Sequence, residues 1–261
     1  MLETIQPTDP IAAYIGGKRQ LAKQIIAKIN QTPHERYVEP FMGMGGVFLR
    51  RTKKPPVEVI NDINKDVINL FRVVQRHYDA LVGLCEYSLS SRDEFYRLRN
   101  IPRDYLTDIE RAYCFLYLQK HSFGGKVDHS GINTSRGCFN KFILEKKIKL
   151  LHKRLSGVFI ECLPYEDFIK RQDKPGTLFY LDPPYYGTET YYKNFFTKDD
   201  FQKLGSLLRN IRGFFILSIN NVPEIREIFN GFYFEAVQIK YSCNAKTTKQ
   251  SQELIISNYR F

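Results

Sequence analysis

The chain of 261 residues holds five cysteines, at positions 85, 114, 138, 162 and 243, and no two of them form a Cys-x-x-Cys pair. An odd number without metal or redox spacing fits reduced thiols in a cytoplasmic protein better than a disulfide framework or a zinc ribbon. Also missing is any run approaching the ~18 consecutive apolar residues of a membrane span. The opening MLETIQPTDP is polar and mildly acidic, so neither a secretory signal nor a transit peptide is expected. No repeat or low-complexity tract occurs. Acidic residues are in short supply: 28 Asp and Glu face 39 Lys and Arg, a net charge of +11 that calls for a polyanionic partner. Apolar residues are not scarce. They make up 43% of the chain against 26% charged, which excludes global disorder. At ~150 residues per domain the length suits one large domain, or one domain carrying an insertion.

The periodicity alternates between helix and strand. Leu21, Ala22, Ile25, Ile26 and Ile29 recur at helical spacing. RYVEPF (36–41) reads as a strand ending at the glycine turn GMGG, and a helix is expected to begin at Val47–Arg51. EVINDIN (58–64) reads as a second strand, followed by the amphipathic DVINLFRVVQRHY. From about 68 to 118 the pattern is helical. Strand rhythm returns with GVFIECL (157–163), TLFYLDPP (177–184) and GFFILSIN, the last preceded by the helix KDDFQKLGSLLRNI. FYFEAVQIKYS and ELIISNYRF close the chain as an antiparallel pair. The simplest architecture is an open α/β sheet, residues 1–67 and 151–261, interrupted by a helical, basic insertion over 68–150.

The charge is concentrated. Residues 119–154 carry nine Lys or Arg against two acids, +7 of the +11. Within them FGGKVDHSGINTSRGCFN is too rich in Gly, Asn and Ser for an uninterrupted helix and predicts a hairpin or long loop. Lys and Arg suit phosphates, and Asn, Ser and Arg suit base edges. A solvated surface loop has the same composition, and the residues alone do not choose between the two. His121, Asp128 and His129 match no zinc template, so no metal is expected and solvated side chains are the reading.

GMGG after a strand is similar to the glycine turns that let backbone and nucleotide approach. Phe48 stands where a dinucleotide fold has its third glycine, which disfavours NAD and FAD. Asp62 lies 19 residues after Gly43 at the end of the next strand, where a carboxylate accepts ribose hydroxyls. A nucleoside without pyrophosphate fits; a tight turn with an exposed Asp is the alternative. In LFYLDPPYYG an apolar strand delivers Asp182 to its carboxyl end. Pro183 and Pro184 fix φ and offer no N–H, which leaves the Asp182 and Pro183 carbonyls as acceptors, and Tyr185 adds a flat ring. Two acceptors beside an aromatic face form a receptor for an exocyclic amine on a planar heterocycle. Such an amine is a poor nucleophile because its lone pair is delocalised, and accepting both N–H groups favours pyramidalisation. No covalent enzyme nucleophile is required.

These stretches together resemble the Dam-like (D12 class) N6-adenine-specific DNA methyltransferases over nearly the whole chain. YIGGK (14–18) is similar to that family's amino-terminal cofactor motif, VEPFMGMGG (38–46) to its glycine loop, INDIN to its ribose-binding strand and DPPY (182–185) to its catalytic motif. The basic insertion takes the place of the family's target-recognition domain, and KTTKQSQELIISNY is similar to its closing hairpin. The resemblance implies a Rossmann-like S-adenosylmethionine-dependent fold and methyl transfer to the N6 amine of an adenine flipped out of double-stranded DNA. A restriction endonuclease is an optional cellular companion of such an enzyme. It implies that Tyr14, Lys18, Glu39, Gly43, Gly45 and Asp62 line the cofactor pocket with Asp182. Asp182, Pro183, Pro184 and Tyr185 would act on the amine, with Tyr185 stacked on the base. Phe195 and Phe196 follow closely enough to cover the base's other side, or to serve the core. Lys126, Asn133, Arg136, Asn140, Lys141 and Lys146 are the candidate DNA contacts. One departure bears on specificity: relatives that read GATC commonly carry Lys immediately before the first motif's aromatic, where this chain has Ala13.

Other readings fit less well. An RNA or protein amine methyltransferase is a second enzyme reading, but methylation of cytosine N4 or of protein glutamine is usually associated with Ser or Asn at the position of Asp182. A DNA-binding protein that had lost catalysis would not need Gly43, Asp62, Asp182 and Tyr185 together. A dinucleotide oxidoreductase is opposed by Phe48.

Overall fold

The computed structural model describes residues 2–14, 16, 18–123, 127, 131–134, 139–188, 196–244 and 247–261, with backbone alone for 239–251. In chain order the elements begin with β1 (Glu3–Thr4), α1 (Ala22–Gln31), β2 (Arg36–Glu39), β3 (Lys53–Lys54) and β4 (Val57–Asn61). Four helices follow, α2 (Lys65–Arg76), α3 (Tyr78–Glu86), α4 (Arg92–Asn100) and α5 (Asp108–His121), and then α6 (Lys141–Arg154). The chain continues through β5 (Phe159–Glu161), α7 (Tyr165–Gln172), β6 (Thr177–Leu181), α8 (Lys198–Arg209), β7 (Phe214–Asn220) and α9 (Pro223–Ile228). It ends in the hairpin β8 (Tyr233–Asn244) and β9 (Thr247–Ser257).

Seven of these strands form one sheet in the order β5-β4-β2-β6-β7-β9-β8. The pairs from β5 to β7 are parallel and those of β9 with β7 and β8 antiparallel. This is the Rossmann-like α/β sheet expected from the sequence. Every residue of β6 is buried, as a parallel strand covered on both faces requires, which explains its unbroken apolar run. From β2 the chain builds outward to β4 and β5, then returns to β6 on the other side. The carboxyl ends of β2 and β6 therefore flank the point where strand order reverses, the usual ligand crevice of such sheets.

α1 forms because Ala22, Ile25, Ile26 and Ile29 make one buried stripe. It covers the sheet face that carries Tyr37, Tyr180, Ile216 and Ile255, whereas Phe179, Leu181, Leu217 and Leu254 pack on the opposite face. The helical insertion between β4 and β5 shares the first of these cores through Phe71, Leu116 and Ile148. It also has a small core of its own, built from Phe95, Leu98, Cys114, Tyr117 and Leu118.

Three expectations are corrected. The helix expected from Val47 is a single 3-10 turn, Phe48–Arg50, because the chain turns at once into β3 and Pro55-Pro56. His121 is not solvated: it is buried, its Nδ1 lies 2.9 Å from the Tyr117 carbonyl, and its ring stacks on those of Tyr117 and Phe139 in a three-ring cluster. Burial holds its pKa below the usual histidine value. Asp128 and His129 lie outside the described residues. The third correction concerns Arg154, one of the nine basic residues of the 119–154 stretch assigned to a polyanionic partner. It is buried and pairs with Glu58 through two 2.7 Å hydrogen bonds, while Arg51 binds the same carboxylate at 2.7 Å. Both guanidinium groups also lie on rings, Arg51 3.5 Å from the Tyr37 centroid and Arg154 3.9 Å from that of Phe48. Part of the basic charge is thus internal and fixes the end of α6 to β4.

Among the described residues Cys85, Cys114 and Cys162 are free thiols, no group of His, Cys, Asp and Glu could hold a metal ion, and no helix is long and apolar enough to cross a membrane.

Candidate active site

At the carboxyl end of the sheet a polar row replaces the apolar packing of the α1 face. Glu39 ends β2, Tyr180 is on β6, Ser218 on β7 and Glu253 on β9, all buried. Side chains alternate along a strand, so each of these falls on the same face as the apolar residue two places away. Tyr37 donates to Glu39, and the Tyr180 hydroxyl lies 2.9 Å from Ser218 Oγ. Burial is the main cause that lifts the Glu39 carboxyl to about 8, so it is protonated at neutral pH.

The glycine turn sits above this row. Gly43 has φ +51°, a conformation L side chains rarely adopt, and a Cβ there would lie 3.1 Å from the Tyr14 ring. Gly45, at φ +74°, would place a Cβ 2.9 Å from Leu49. Asp62 accepts the Gly43 N–H at 2.7 Å and the Asn64 N–H at 2.8 Å. Asn64 in turn caps α2 by accepting from Asp66 and Val67, and donates to the Tyr14 hydroxyl at 3.2 Å. Tyr14, Gly43 and Asp62, drawn from three motifs, therefore form one cradle. Its floor is tied by Asn61, whose amide bonds the Pro40 and Leu163 carbonyls, both at 3.0 Å.

Asp182 follows β6 directly and faces the same crevice. Its Oδ1 accepts from Lys18 at 2.9 Å and from Ser218 Oγ at 3.3 Å. Burial raises its pKa to about 6, against the opposing pull of the Lys18 ammonium. Lys18, expected at the cofactor, thus has its ammonium on Asp182. It also donates to the Tyr185 hydroxyl at 2.9 Å, and Tyr185 donates to Glu253. The loop is pinned to β7 by a reciprocal pair, Tyr186 N–H to Asn220 Oδ1 at 2.9 Å and Asn220 Nδ2 to the Tyr186 carbonyl at 3.0 Å. Tyr185 closes a turn by accepting from Thr188.

Tyr14, Lys18, Glu39, Gly43, Gly45, Asp62 and Asp182–Tyr185, all expected at the site from their motifs, come together at one crevice. Asn61, Asn64, Ser218, Asn220 and Glu253, which no motif singles out, join them there. A polar residue inside an apolar strand, as in LSIN and QELIIS, was the available signal for the last three. Phe196 is a core residue, edge-on to Phe41 and Phe201, and Phe195 lies outside the described residues.

The expected DNA contacts divide. Lys126 and Arg136 lie outside the described residues. Around them Ser122 and Ile132 form an isolated antiparallel bridge, and the Asn133 N–H bonds the His121 carbonyl at 2.6 Å. Asn140 caps α6 through the Ile143 N–H at 3.1 Å. Lys141 and Lys146 are exposed on α6.

Residues 14–243 match the family model described as D12 class N6 adenine-specific DNA methyltransferase. Among curated proteins the chain is 28% identical to the type II methyltransferase M.MjaIII of Methanocaldococcus jannaschii, over 96% of this chain and 99% of that protein. It is 27% identical to the retron Ec67 DNA adenine methylase of Escherichia coli, over 94% and 90% of the two chains. A DNA adenine methylase of Haemophilus influenzae is 26% identical over 92% and 90%.

Proposed function

The chain belongs to the D12 class of N6 adenine-specific DNA methyltransferases, and from that premise we propose which of its residues carry the reaction and how. The observation that carries the proposal is the position of Asp182, at the carboxyl end of β6, across the strand-order switch from the Tyr14–Gly43–Asp62 cradle.

The cradle fits S-adenosylmethionine. A left-handed glycine leaves open the space a Cβ would fill against Tyr14, and Asp62 stands at a strand end where ribose hydroxyls are held. Tyr14, Glu39, Gly43, Gly45 and Asp62 would hold it. When bound it supplies an electrophilic methyl group, whose bond to sulfur breaks, with its electron pair leaving on sulfur, as the new bond to nitrogen forms. Asp182 and the Pro183 carbonyl accept the two N–H groups of the adenine amine. Asp182 Oδ then receives the proton that the methylated nitrogen sheds. A protonated aryl amine is a strong acid, so a carboxylate with a pKa of about 6 takes that proton downhill.

The adenine must leave the duplex for its N6 to reach this crevice. Extrusion costs a few kcal/mol, offset by stacking on Tyr185 and by basic contacts to phosphate. Residues 68–150 are read as the target-recognition insertion. Lys126, Lys141 and Lys146 would contact phosphate, and Asn133, Arg136 and Asn140 the bases. Asn140 would have to combine that role with capping α6. No resident metal enters this reading. The enzyme would work in the cytoplasm, and a restriction endonuclease cutting the same unmodified sequence would be its natural companion.

The test is incubation with methyl-labelled S-adenosylmethionine and duplex DNA, followed by nucleoside analysis. Label on N6-methyladenine is expected; label on cytosine, RNA or protein refutes the reading. Modified-base sequencing of the same DNA gives the target site.

A further inference from the structure

Glu253 is a buried carboxylate that methyl transfer as derived above does not use. It stands on β9 with 1% of its surface exposed, directly across from Asn220 of β7. It accepts the Tyr185 hydroxyl, and its Oε2 lies 3.4 Å from Lys18 Nζ. Lys18 is thus held between two carboxylates, with Asp182 at 2.9 Å, and donates to the Tyr185 hydroxyl that bonds Glu253. A carboxylate buried this deeply costs several kcal/mol unless paired, so an acid in the apolar strand QELIIS is not there for packing.

In this arrangement the ammonium of Lys18 occupies the space beside Asp182 Oδ1, and the target amine needs an acceptor at that atom. A cation leaning on Asp182 also weakens it as a base. We propose that Glu253 is a positioning residue for methyl transfer: it is the counterion that retains Lys18 when the target amine takes Asp182, and its bond to the Tyr185 hydroxyl sets the ring against the base. The inference rests on Asp182 as the group that holds the amine and on Tyr185 as the stacking face.

Among the described residues Lys18 from the segment before α1, Glu39 from β2, Tyr180 from β6, Ser218 from β7 and Glu253 from β9 act on Asp182, and Tyr185 of its own loop shares Lys18 with it. After burial, Lys18 lowers the Asp182 pKa and Glu253 raises it. Glu253→Gln keeps an acceptor for Tyr185 but removes the charge, which leaves Lys18 to Asp182 alone.

The experiment compares full-length wild type and Glu253→Gln in kcat, in the pH dependence of kcat/KM on a methylatable duplex, and in S-adenosylmethionine affinity by equilibrium dialysis. The variant should lose kcat by roughly ten- to a hundredfold, as expected for misplaced reacting groups. Its acid limb should move to lower pH while cofactor affinity holds. Wild-type kcat overturns the proposal, as does a fall in kcat with an unmoved acid limb. Should Glu253→Gln fail to fold by circular dichroism, Tyr185→Phe cuts the same link from the other end. It should lower kcat at unchanged cofactor affinity, and wild-type kcat there overturns the proposal. Asp182→Ala is run alongside. Retained N6 methylation in that variant brings down the site assignment itself, whereas its inactivity beside a fully active Glu253→Gln brings down the role of Glu253 alone.

Discussion

Lys18 and Asp182 are 164 positions apart in the chain and 2.9 Å apart in space, ammonium to carboxylate. The pair joins the segment ahead of α1 to the end of β6, and so places the first and last motifs of the site in one ionic contact. Asp182→Ala removes the acceptor of the target amine and leaves Lys18 with Glu253. Methyl transfer should become undetectable while S-adenosylmethionine still binds, which single-turnover assay and dialysis check together.

Ionisation of Asp182 should govern the acid side of the rate profile. Its pKa is raised by burial to about 6, and the carboxylate is the active form. Activity should therefore climb with pH through about 6 and level off above it. A profile of kcat/KM already flat well below 6 would contradict this.

Glu39 predicts a stability effect of definite sign. Burial lifts its folded-state pKa from 4.5 to about 8, so between those values the folded protein holds a proton that the unfolded chain has released. The resulting stability is fully present below 4.5, declines as pH rises, and is lost through about 8. Glu39→Gln keeps an acceptor for Tyr37 and cannot ionise. Urea denaturation from pH 5 to 9 should show a decline in the wild type that the variant lacks.

Gly43→Ala should act on the cofactor more than on DNA. Its φ of +51° costs a non-glycine residue roughly 1–2 kcal/mol, and the new Cβ would press within 3.1 Å of Tyr14. Weaker S-adenosylmethionine binding with unchanged affinity for duplex in a mobility-shift assay is the expected result.

Lys146 and Arg154 both lie on α6, but the exposed charge and the buried ion pair should respond in opposite ways. Lys146→Ala, on the exposed face, should leave the melting temperature unchanged and lower the salt slope of DNA binding by about 1. Glu58→Ala strands the buried Arg51 and Arg154 without their shared carboxylate and should destabilise the fold by roughly 3–5 kcal/mol. Chemical denaturation and salt titration separate the two.

The alternation of helix and strand is legible in the residues alone, and so are the motifs that the fold gathers at one crevice. Those properties are local. An apolar run such as TLFYL fixes a buried strand, two prolines fix a turn after Asp182, and glycine at 43 permits a left-handed bend whatever lies elsewhere. Val47–Arg51 has the apolar residues of a helix start, but they serve the core from a single turn. Pairing across distance is different, and comes from the folded chain. Arg154 is indistinguishable in sequence from Lys146, yet one is buried against Glu58 and the other meets solvent, because the end of α6 alone docks on β4. Glu253 reads as a lone acid at the start of an apolar run, with no partner named, until β9 inserts beside β7 and carries it under Lys18 and Tyr185. A charge has no fixed meaning along a chain; its partner and its dielectric surroundings give it one, and both come from the fold.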